Sequence, residues 1–347
     1  MTHVVFVTQL LDPQDPALGF AARWIEALAA RADGVTVIAN EARASLPGVK
    51  VVSLGKERGA SRPSRAIAYE RALLSAPRHA AVFAHMSPSY LVAAGPVAKA
   101  RGMRSLLWFA HPSVTPMLQV AERVADVILT SLPGSYPRPS SKVRVIGQAV
   151  DTDALAFVPR AIDPTAPRLV AVGRTSPSKG FDTAIRAVAS LRDRGVAAGL
   201  RIVGPSTTEV EHRHRVELAK LAADLGLASA VSLEDGVAPG AVAGVIAGAD
   251  VLVNAMVAGS GDKVVFEALA LGRPAVASNP ALAGLLGGAG AQLGFRAGDP
   301  EDLAATIVNL LRTPDLTPTL LTLRGRVERD HSLGRWANEV MLAAARR

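Results

Sequence analysis

Val170–Asp182, VAVGRTSPSKGFD, is the stretch on which the reading of this chain turns. Leu169–Val172 are apolar and partly β-branched, the pattern of a short buried strand. Gly173 ends that strand, and Pro177 and Gly180 punctuate a short loop. From Phe181, apolar residues (Phe181, Ile185, Val188, Leu191) recur at helical spacing, with Asp182 in the first turn. Arg174 and Lys179 therefore fall on a strand-to-helix loop at the carboxyl edge of a parallel sheet, where open α/β folds bind ligands. Two cations beside the amides of a helix N-terminus suit a diphosphate. Taken alone, the same two residues read equally well as solvated loop charges.

Downstream, short strands at Leu200–Val203, Val231–Leu233, Val251–Val253 and Ala275–Ser278 alternate with helices at Glu209–Leu225, Ala241–Ala247 and Val264–Gly272, and further helices follow at Pro300–Leu311 and Leu333–Arg347. Asp235-Gly236-Val237 is the loop after the second of these strands. Glu267 sits in an apolar helix that starts from the loop Gly259-Ser260-Gly261-Asp262. A carboxylate near a helix start is favoured by the helix dipole and could accept two ribose hydroxyls; an ordinary partly exposed Glu is the other reading. His212 and His214 lie two apart on one helix, so they point apart and do not chelate together.

Upstream, strand His3–Thr8, a polar loop to Gly19, helix Phe20–Ala32 and strand Val35–Ala39 complete a β-α-β unit. No G-x-G-x-x-G follows the first strand, so a dinucleotide cofactor is unsupported. Gly19 either admits a ligand to the backbone or starts the helix. After a strand at Val49–Leu54, Lys56–Arg65 reads as a mobile basic loop, either a solvated face or a contact for an anionic acceptor or lipid headgroup. Strands at Ala81–Ala84 and Ser105–Ala110 flank a helix at Leu91–Ala100. His85 and His111 lie just past the carboxyl ends of these two strands, equivalent positions that would share one crevice. Two more strands follow at Val127–Ser131 and Val143–Ile146.

Gly147–Pro167, with three prolines and little periodicity, reads as a linker. Its Asp151-Thr152-Asp153 has a spacing that can share a hard cation, but no third acidic ligand accompanies it, and turn or capping duty is the better reading. At 347 residues the chain exceeds a single core. Two domains are expected, 1–150 and 151–330, with helix 331–347 completing the first. The sequence is 49% hydrophobic, contains no Cys and carries a formal charge of +8. Disulfides and thiolate metal sites are therefore excluded, and an anionic ligand, lipid surface or nucleic acid would suit the charge. Only 4% of residues are aromatic and no recognition module is visible, which argues against nucleic acid. Neither a signal peptide nor a membrane span is expected, since the most apolar window, Ala241–Gly259, carries Asp250, Asn254 and three glycines. The expected location is the cytoplasm, with the inner membrane surface in reach of the basic first-domain loops.

The order of these features resembles the family 4 glycosyltransferases of the GT-B fold, nearly end to end. Gly173-Arg174…Lys179-Gly180 is similar to the family's G-R-x4-K-G, and Glu267-Ala268-Leu269-Ala270-Leu271-Gly272-Arg273-Pro274 to its E-A-x-A-x-G-x-P. The linker GQAVDTDAL resembles a variant of N-G-V-D-x-x-x-F; DPALGFAARWIEALA and LLWFAHPS add weaker support. The resemblance implies an α/β fold of two Rossmann-like parallel-sheet domains facing each other across a cleft. It also implies transfer of a sugar from a nucleoside-diphosphate sugar, most commonly a UDP-sugar, to a small-molecule, glycan or lipid-linked acceptor. Retention of configuration, independence of metal and the absence of any further cofactor follow from the family alone. On this reading Arg174 and Lys179 hold the diphosphate, Glu267 the ribose, and His111 lines the reaction centre. The donor-binding set adds Gly173, Ser260, Gly261, Asp262, Lys263 and Val237, while Gly19 and His85 belong to the acceptor side. One departure stands out. The family usually has two glutamates separated by seven residues, and the position eight before Glu267 is Gly259. Amides of Ser260, Gly261 and Asp262, or the side chains of Asp262 and Lys263, would have to supply the lost contact to the sugar. The rival readings are a GT-B epimerase, for which acidic groups around the sugar cannot be assigned, a phosphorylase, for which no cofactor lysine can be placed, and a non-catalytic nucleotide-sugar-binding protein.

Overall fold

In a computed structural model, which describes residues 2–257 and 259–345, the chain divides into two units, residues 1–149 with 331–347 and residues 150–330. Unit 1 is built on strands β1 (His3–Leu11), β2 (Gly34–Ala42), β3 (Lys50–Ser53), β4 (Ala81–His85), β5 (Arg104–Trp108), β6 (Val127–Thr130) and β7 (Val143–Val145). They pair in parallel in the order β3-β2-β1-β4-β5-β6-β7. Along β1 the pleat sends Val4 and Phe6 to one face and Val5 and Val7 to the other, and all four are fully buried. A parallel sheet covered on both faces needs such continuously apolar strands.

Helix α1 (Ala21–Ala29) and the last helix, Leu333–Ala344, cover one face through Trp24, Ile25, Leu28, Trp336, Ala337 and Val340. Trp336 is fully buried and packs its ring 4.5 Å from Trp24, 5.8 Å from Trp108 and 5.9 Å from Phe83. Helices α2 (Arg62–Ser75), α3 (Pro88–Arg101) and α4 (Pro116–Val124) cover the other face through Tyr69, Leu73, Leu91, Ala94, Leu118 and Ala121.

Unit 2 alternates strand and helix. It runs β8 (Arg168–Val172), α5 (Phe181–Asp193), β9 (Gly199–Val203), α6 (Glu209–Asp224), β10 (Val231–Glu234), α7 (Pro239–Ala247), β11 (Val251–Asn254), α8 (Lys263–Ala270) and β12 (Ala275–Ala277). The single turns α9 (Ala283–Leu286) and α10 (Gly290–Leu293) lead to α11 (Pro300–Leu311) and α12 (Thr317–His331). The sheet is parallel with order β10-β9-β8-β11-β12. Where the segment before β8 meets the sheet, buried Asp250 accepts from the Arg168 backbone N–H at 2.8 Å and from the guanidinium groups of Arg160 and Arg168 at 2.7 and 2.9 Å.

One sequence reading requires correction, and two helices lie where the sequence analysis assigned none. Lys56–Arg65 is no continuous loop: Lys56–Arg58 form a 3-10 turn and Arg62 already lies in α2. Ser61 caps that helix by accepting from Ser64 N–H at 3.3 Å, and Pro63 lies in its first turn, where a missing donor costs nothing. The segment between His111 and Val127 contains α4, capped by Thr115 accepting from Leu118 N–H at 3.1 Å. Helix α12 occupies a region to which the apolar spacing assigned nothing. Its charged residues are numerous and only Leu320, Leu323 and Val327 are buried.

Candidate active site

In unit 2 the strand order reverses between β8 and β11, and crevices at the carboxyl ends of strands open at such a switch point. The loop leaving β8 carries Gly173 to Gly180, and the loop leaving β11 carries Ala255 to Asp262. Two glycines let these loops pack. A Cβ on Gly180 would lie 2.2 Å from the Ala255 carbonyl oxygen, and one on Gly173 would lie 3.0 Å from Cε of Lys179. Gly180 also takes the left-handed conformation, φ 62°, before α5 begins. The Lys179 stem thus lies along bare backbone and delivers its ammonium to the β11 loop. There Nζ sits 2.5 Å from Oδ2 of Asp262 and 3.9 Å from Sδ of Met256. Asn254, the last residue of β11, donates from Nδ2 to the same Asp262 oxygen at 2.9 Å. Its own Oδ1 is buried and has no partner.

Arg174, half exposed, pairs at 2.9 Å with Glu211, which is almost wholly buried. Burial would raise the Glu211 carboxyl, but hydrogen bonds from the N–H and hydroxyl of Thr207, the Arg174 charge and the Thr208 N–H outweigh it and hold its pKa below the ordinary value. Glu211 also closes a capping box with Thr208 at the start of α6. Glu267, on α8, pairs with Lys263 one turn earlier at 3.2 Å. Arg174, Lys179, Asp262, Lys263 and Glu267 therefore each already have a partner of opposite sign within the chain.

Asp262 occupies the N-cap position of α8 without making a side-chain capping bond. Ser260 and Gly261 precede it, with Gly261 buried; Asn279 donates to the carbonyl of Ser260 at 3.4 Å and so anchors this turn. Val237 lies half-buried in the loop after β10. Neither Glu211 nor Asn254 was singled out by the sequence reading. The T-x-x-E spacing of Thr208 and Glu211 was the available signal for the first. A hollow of about 530 Å³ on unit 2, lined among others by Arg194, Asn309 and Arg312, sits at the ends of α5 and α11, at the amino edge of the strands and away from these loops.

In unit 1, His85 and His111 do not share an environment. The pleat turns His85 into the core: it is 2% exposed, ringed by Phe6, Phe20 and Trp24 at 5.4 to 5.8 Å, and its Nδ1 lies 3.5 Å from the Thr8 hydroxyl. Burial pushes its pKa down to about 4. The expectation that it lines an open crevice with His111 is therefore corrected. His111 is exposed on the loop after β5, and its Nδ1 accepts from Ser113 N–H at 3.1 Å, which leaves the neutral ring's proton on Nε2. Gly19 is buried at the end of the turn before α1, its N–H donating to the Asp15 carbonyl at 2.9 Å, and a Cβ there would meet that oxygen at 2.6 Å. Its smallness serves the turn. Among the described residues no group of three His, Cys, Asp or Glu side chains is disposed to hold a metal ion, and no helix is long and apolar enough to cross a membrane.

Residues 166–313 match the family described as glycosyl transferases, group 1. Unit 2 carries a group 1 glycosyltransferase domain. Each unit has the parallel-sheet α/β fold of the domains of GT-B glycosyltransferase structures. A sucrose-phosphate synthase from Thermosynechococcus elongatus is 18% identical, with 99% of this chain and 98% of that one covered and a TM-score of 0.77. Anabaena Alr3699/HepE, solved in complex with UDP and glucose, is 16% identical over 99% of both chains, with a TM-score of 0.73. An α,α-trehalose-phosphate synthase (UDP-forming) from Burkholderia xenovorans, in complex with glucose-6-phosphate, is 12% identical over 99% of this chain and all of that one, with a TM-score of 0.76. At these identities the likeness concerns the fold. No curated protein matches the sequence. In this glycosyltransferase domain the two loops at the β8/β11 switch point both fall inside the matched segment.

Proposed function

We propose that the protein transfers a sugar from a nucleoside-diphosphate sugar, with UDP as the nucleotide, to a hydroxyl-bearing acceptor, with retention of configuration and without a metal or further cofactor. The observation that carries this reading is the convergence, inside the group 1 segment, of Lys179 and the uncapped start of α8 on the switch point of the unit 2 sheet. Anabaena Alr3699/HepE, of the same fold, was solved in complex with UDP and glucose, which supports the choice of nucleotide.

On this proposal Arg174 and Lys179 exchange their internal carboxylates for the donor diphosphate, and Glu267 accepts from the ribose. When the bond from the anomeric carbon to the diphosphate oxygen breaks, its electron pair stays on that oxygen. Cations already aimed there stabilise the transition state more than the ground state. The acceptor hydroxyl attacks from the same side and its proton passes to the departing phosphate, so no separate base is needed. Gly173 and Val237 shape the donor site, and Ser260, Gly261, Asp262 and Lys263 meet the sugar in place of the glutamate absent at position 259. His111 lies beside the anomeric centre. An acceptor held at the membrane would meet the basic residues of unit 1.

The test is release of UDP from UDP-sugars with and without candidate acceptors. Arg174→Ala and Lys179→Ala should each cost on the order of 1.5–3 kcal/mol in kcat/KM, the scale of a hydrogen bond to a charged group. Undiminished kcat/KM in both variants would refute the assignment.

A further inference from the structure

Helix α12 carries Thr319, Thr322, Leu323 and Arg326 at i, i+3, i+4 and i+7, the spacing of one helix face. With Leu286 and Gln292 of the α9–α10 segment, that face lines a hollow of about 280 Å³ on unit 2. Leu286 and Leu323 are buried and give the hollow an apolar floor. Gln292, Thr319 and Arg326 are half-buried, and Thr322 is exposed. None of these residues belongs to the loops at the β8/β11 switch point.

Backbone fixes the one cation that lines it. Arg326 donates from Nη1 to the carbonyls of Leu285 and Leu286, both at 2.8 Å, at the end of α9. It can lie there because residue 287 is glycine, at φ 50° and ψ −129°; a Cβ on Gly287 would collide with that nitrogen. The other two arginines of α12 have carboxylates, Arg324 pairing with Glu328 and Arg329 with Asp330, both at 2.6 Å. Among the described residues no carboxylate pairs with Arg326, and its Nε and Nη2 make no hydrogen bond. That edge of a guanidinium can grip an oxyanion through two parallel bonds. A half-buried guanidinium held by neutral carbonyls alone has lost hydration without gaining a counter-charge, which favours an anion. Polar groups surround it. The Thr319 hydroxyl makes no bond among the described residues, and Gln292 spends one amide hydrogen on Thr313 at 3.3 Å and keeps the other. Thr322 donates its hydroxyl to the Pro318 carbonyl at 3.0 Å, so its oxygen is left to accept.

We infer that this hollow binds a small hydroxyl-bearing phosphate ester. Arg326 grips the phosphate through Nε and Nη2, Thr319 and Gln292 donate to its remaining oxygen, and Thr322 accepts from a ligand hydroxyl. The two oxygens of a carboxylate would be filled by the guanidinium edge alone; the third terminal oxygen of a phosphate ester is what uses the extra donors. The volume falls just below the usual range for drug-sized ligands and suits a body of a few carbons. This inference does not depend on the proposed transferase activity.

Calorimetric titration of the full chain with glycerol 3-phosphate, inorganic phosphate and glycerol reads the site directly. Glycerol 3-phosphate should bind saturably and about threefold tighter than inorganic phosphate, the scale of one neutral hydrogen bond, while glycerol shows no binding. Thr319→Asp sets a carboxylate in the hollow at the first turn of α12, where an acidic residue suits the helix dipole, and leaves the carbonyl bonds of Arg326 in place. It should weaken binding about tenfold or more, and so should Arg326→Gln, which removes a charged donor. Thermal melting confirms that both variants are folded. Phosphate also suits the cations of the proposed donor site, so Lys179→Ala is titrated alongside and should bind glycerol 3-phosphate as the wild type does. The inference is overturned if glycerol 3-phosphate does not bind saturably, if a folded Thr319→Asp binds it unchanged, or if Lys179→Ala abolishes the binding. UDP titration is run in parallel: its failure with phosphate-ester binding intact strikes the donor reading and leaves this one standing.

Discussion

Replacing Asp262 with Asn tests the proposed diphosphate site at its most specific feature. The substitution keeps the shape of the side chain and its bond from Asn254, but removes the charge that holds Lys179. Lys179 and Asp262 are 16% and 18% exposed, so their attraction is only partly screened. A hydrogen bond to a charged group is worth about 1.5–3 kcal/mol, and a neutral amide oxygen recovers roughly half of it. The net release of Lys179 is then about 0.75–1.5 kcal/mol, which should tighten UDP binding roughly 4–12-fold. Isothermal titration with UDP alone is the appropriate assay, because no sugar is present to report on other contacts of Asp262. Measured in a Lys179→Ala background, the same change should give a clearly smaller gain, since the competitor has lost its competitor. Unchanged or weakened UDP affinity in Asp262→Asn, with Lys179 intact, would refute the view that Lys179 exchanges this carboxylate for phosphate.

Three further outcomes follow from the structure. Glu267→Gln should weaken UDP binding several-fold and erase most of the preference for UDP over its 2′-deoxy form; an undiminished preference on titration would remove Glu267 from the ribose. Burial holds His85 neutral, with its pKa pushed from 6.5 down to about 4. Between those values the unfolded chain takes up a proton that the folded one does not, so stability falls as pH drops through that window by on the order of 3 kcal/mol. All three tryptophans belong to the unit 1 core, so their fluorescence in urea reports this loss, and His85→Phe should flatten it. Asp250→Ala removes the acceptor of the Arg168 backbone N–H and the carboxylate shared by the partly exposed Arg160 and Arg168, and should destabilise unit 2 by about 1–3 kcal/mol, read from far-UV circular dichroism melts.

The alternation of strand and helix is legible in the residues because each element carries its own period, and the buried strands of a parallel sheet are apolar runs bounded by glycine. The Arg174…Lys179 and Glu267 segments are legible for the same local reason, since spacing and loop chemistry lie within a dozen residues. Helix α2 lacks a clear apolar stripe, and α4, though amphipathic, is only nine residues long; the Ser61 and Thr115 caps were the further signals available. His85 was misread because its position at a strand end is a matter of sequence, whereas the face to which the pleat turns it depends on where the sheet and α1 meet.

The amino-acid order alone was enough for the α/β architecture and for which cations could meet an anion. It could not say what those cations touch when no ligand is bound. Asp262 reaches Lys179 across 83 residues and the Leu285 carbonyl reaches Arg326 across 41, distances over which no periodicity carries information. Chain folding brings β8 beside β11 and α9 beside α12, and it is at these two places that remote charges and carbonyls become neighbours. One lysine is thereby neutralised and one arginine is left without a carboxylate among the described residues, because electrostatic energy depends on separation in space and on burial, and both are properties of the folded chain.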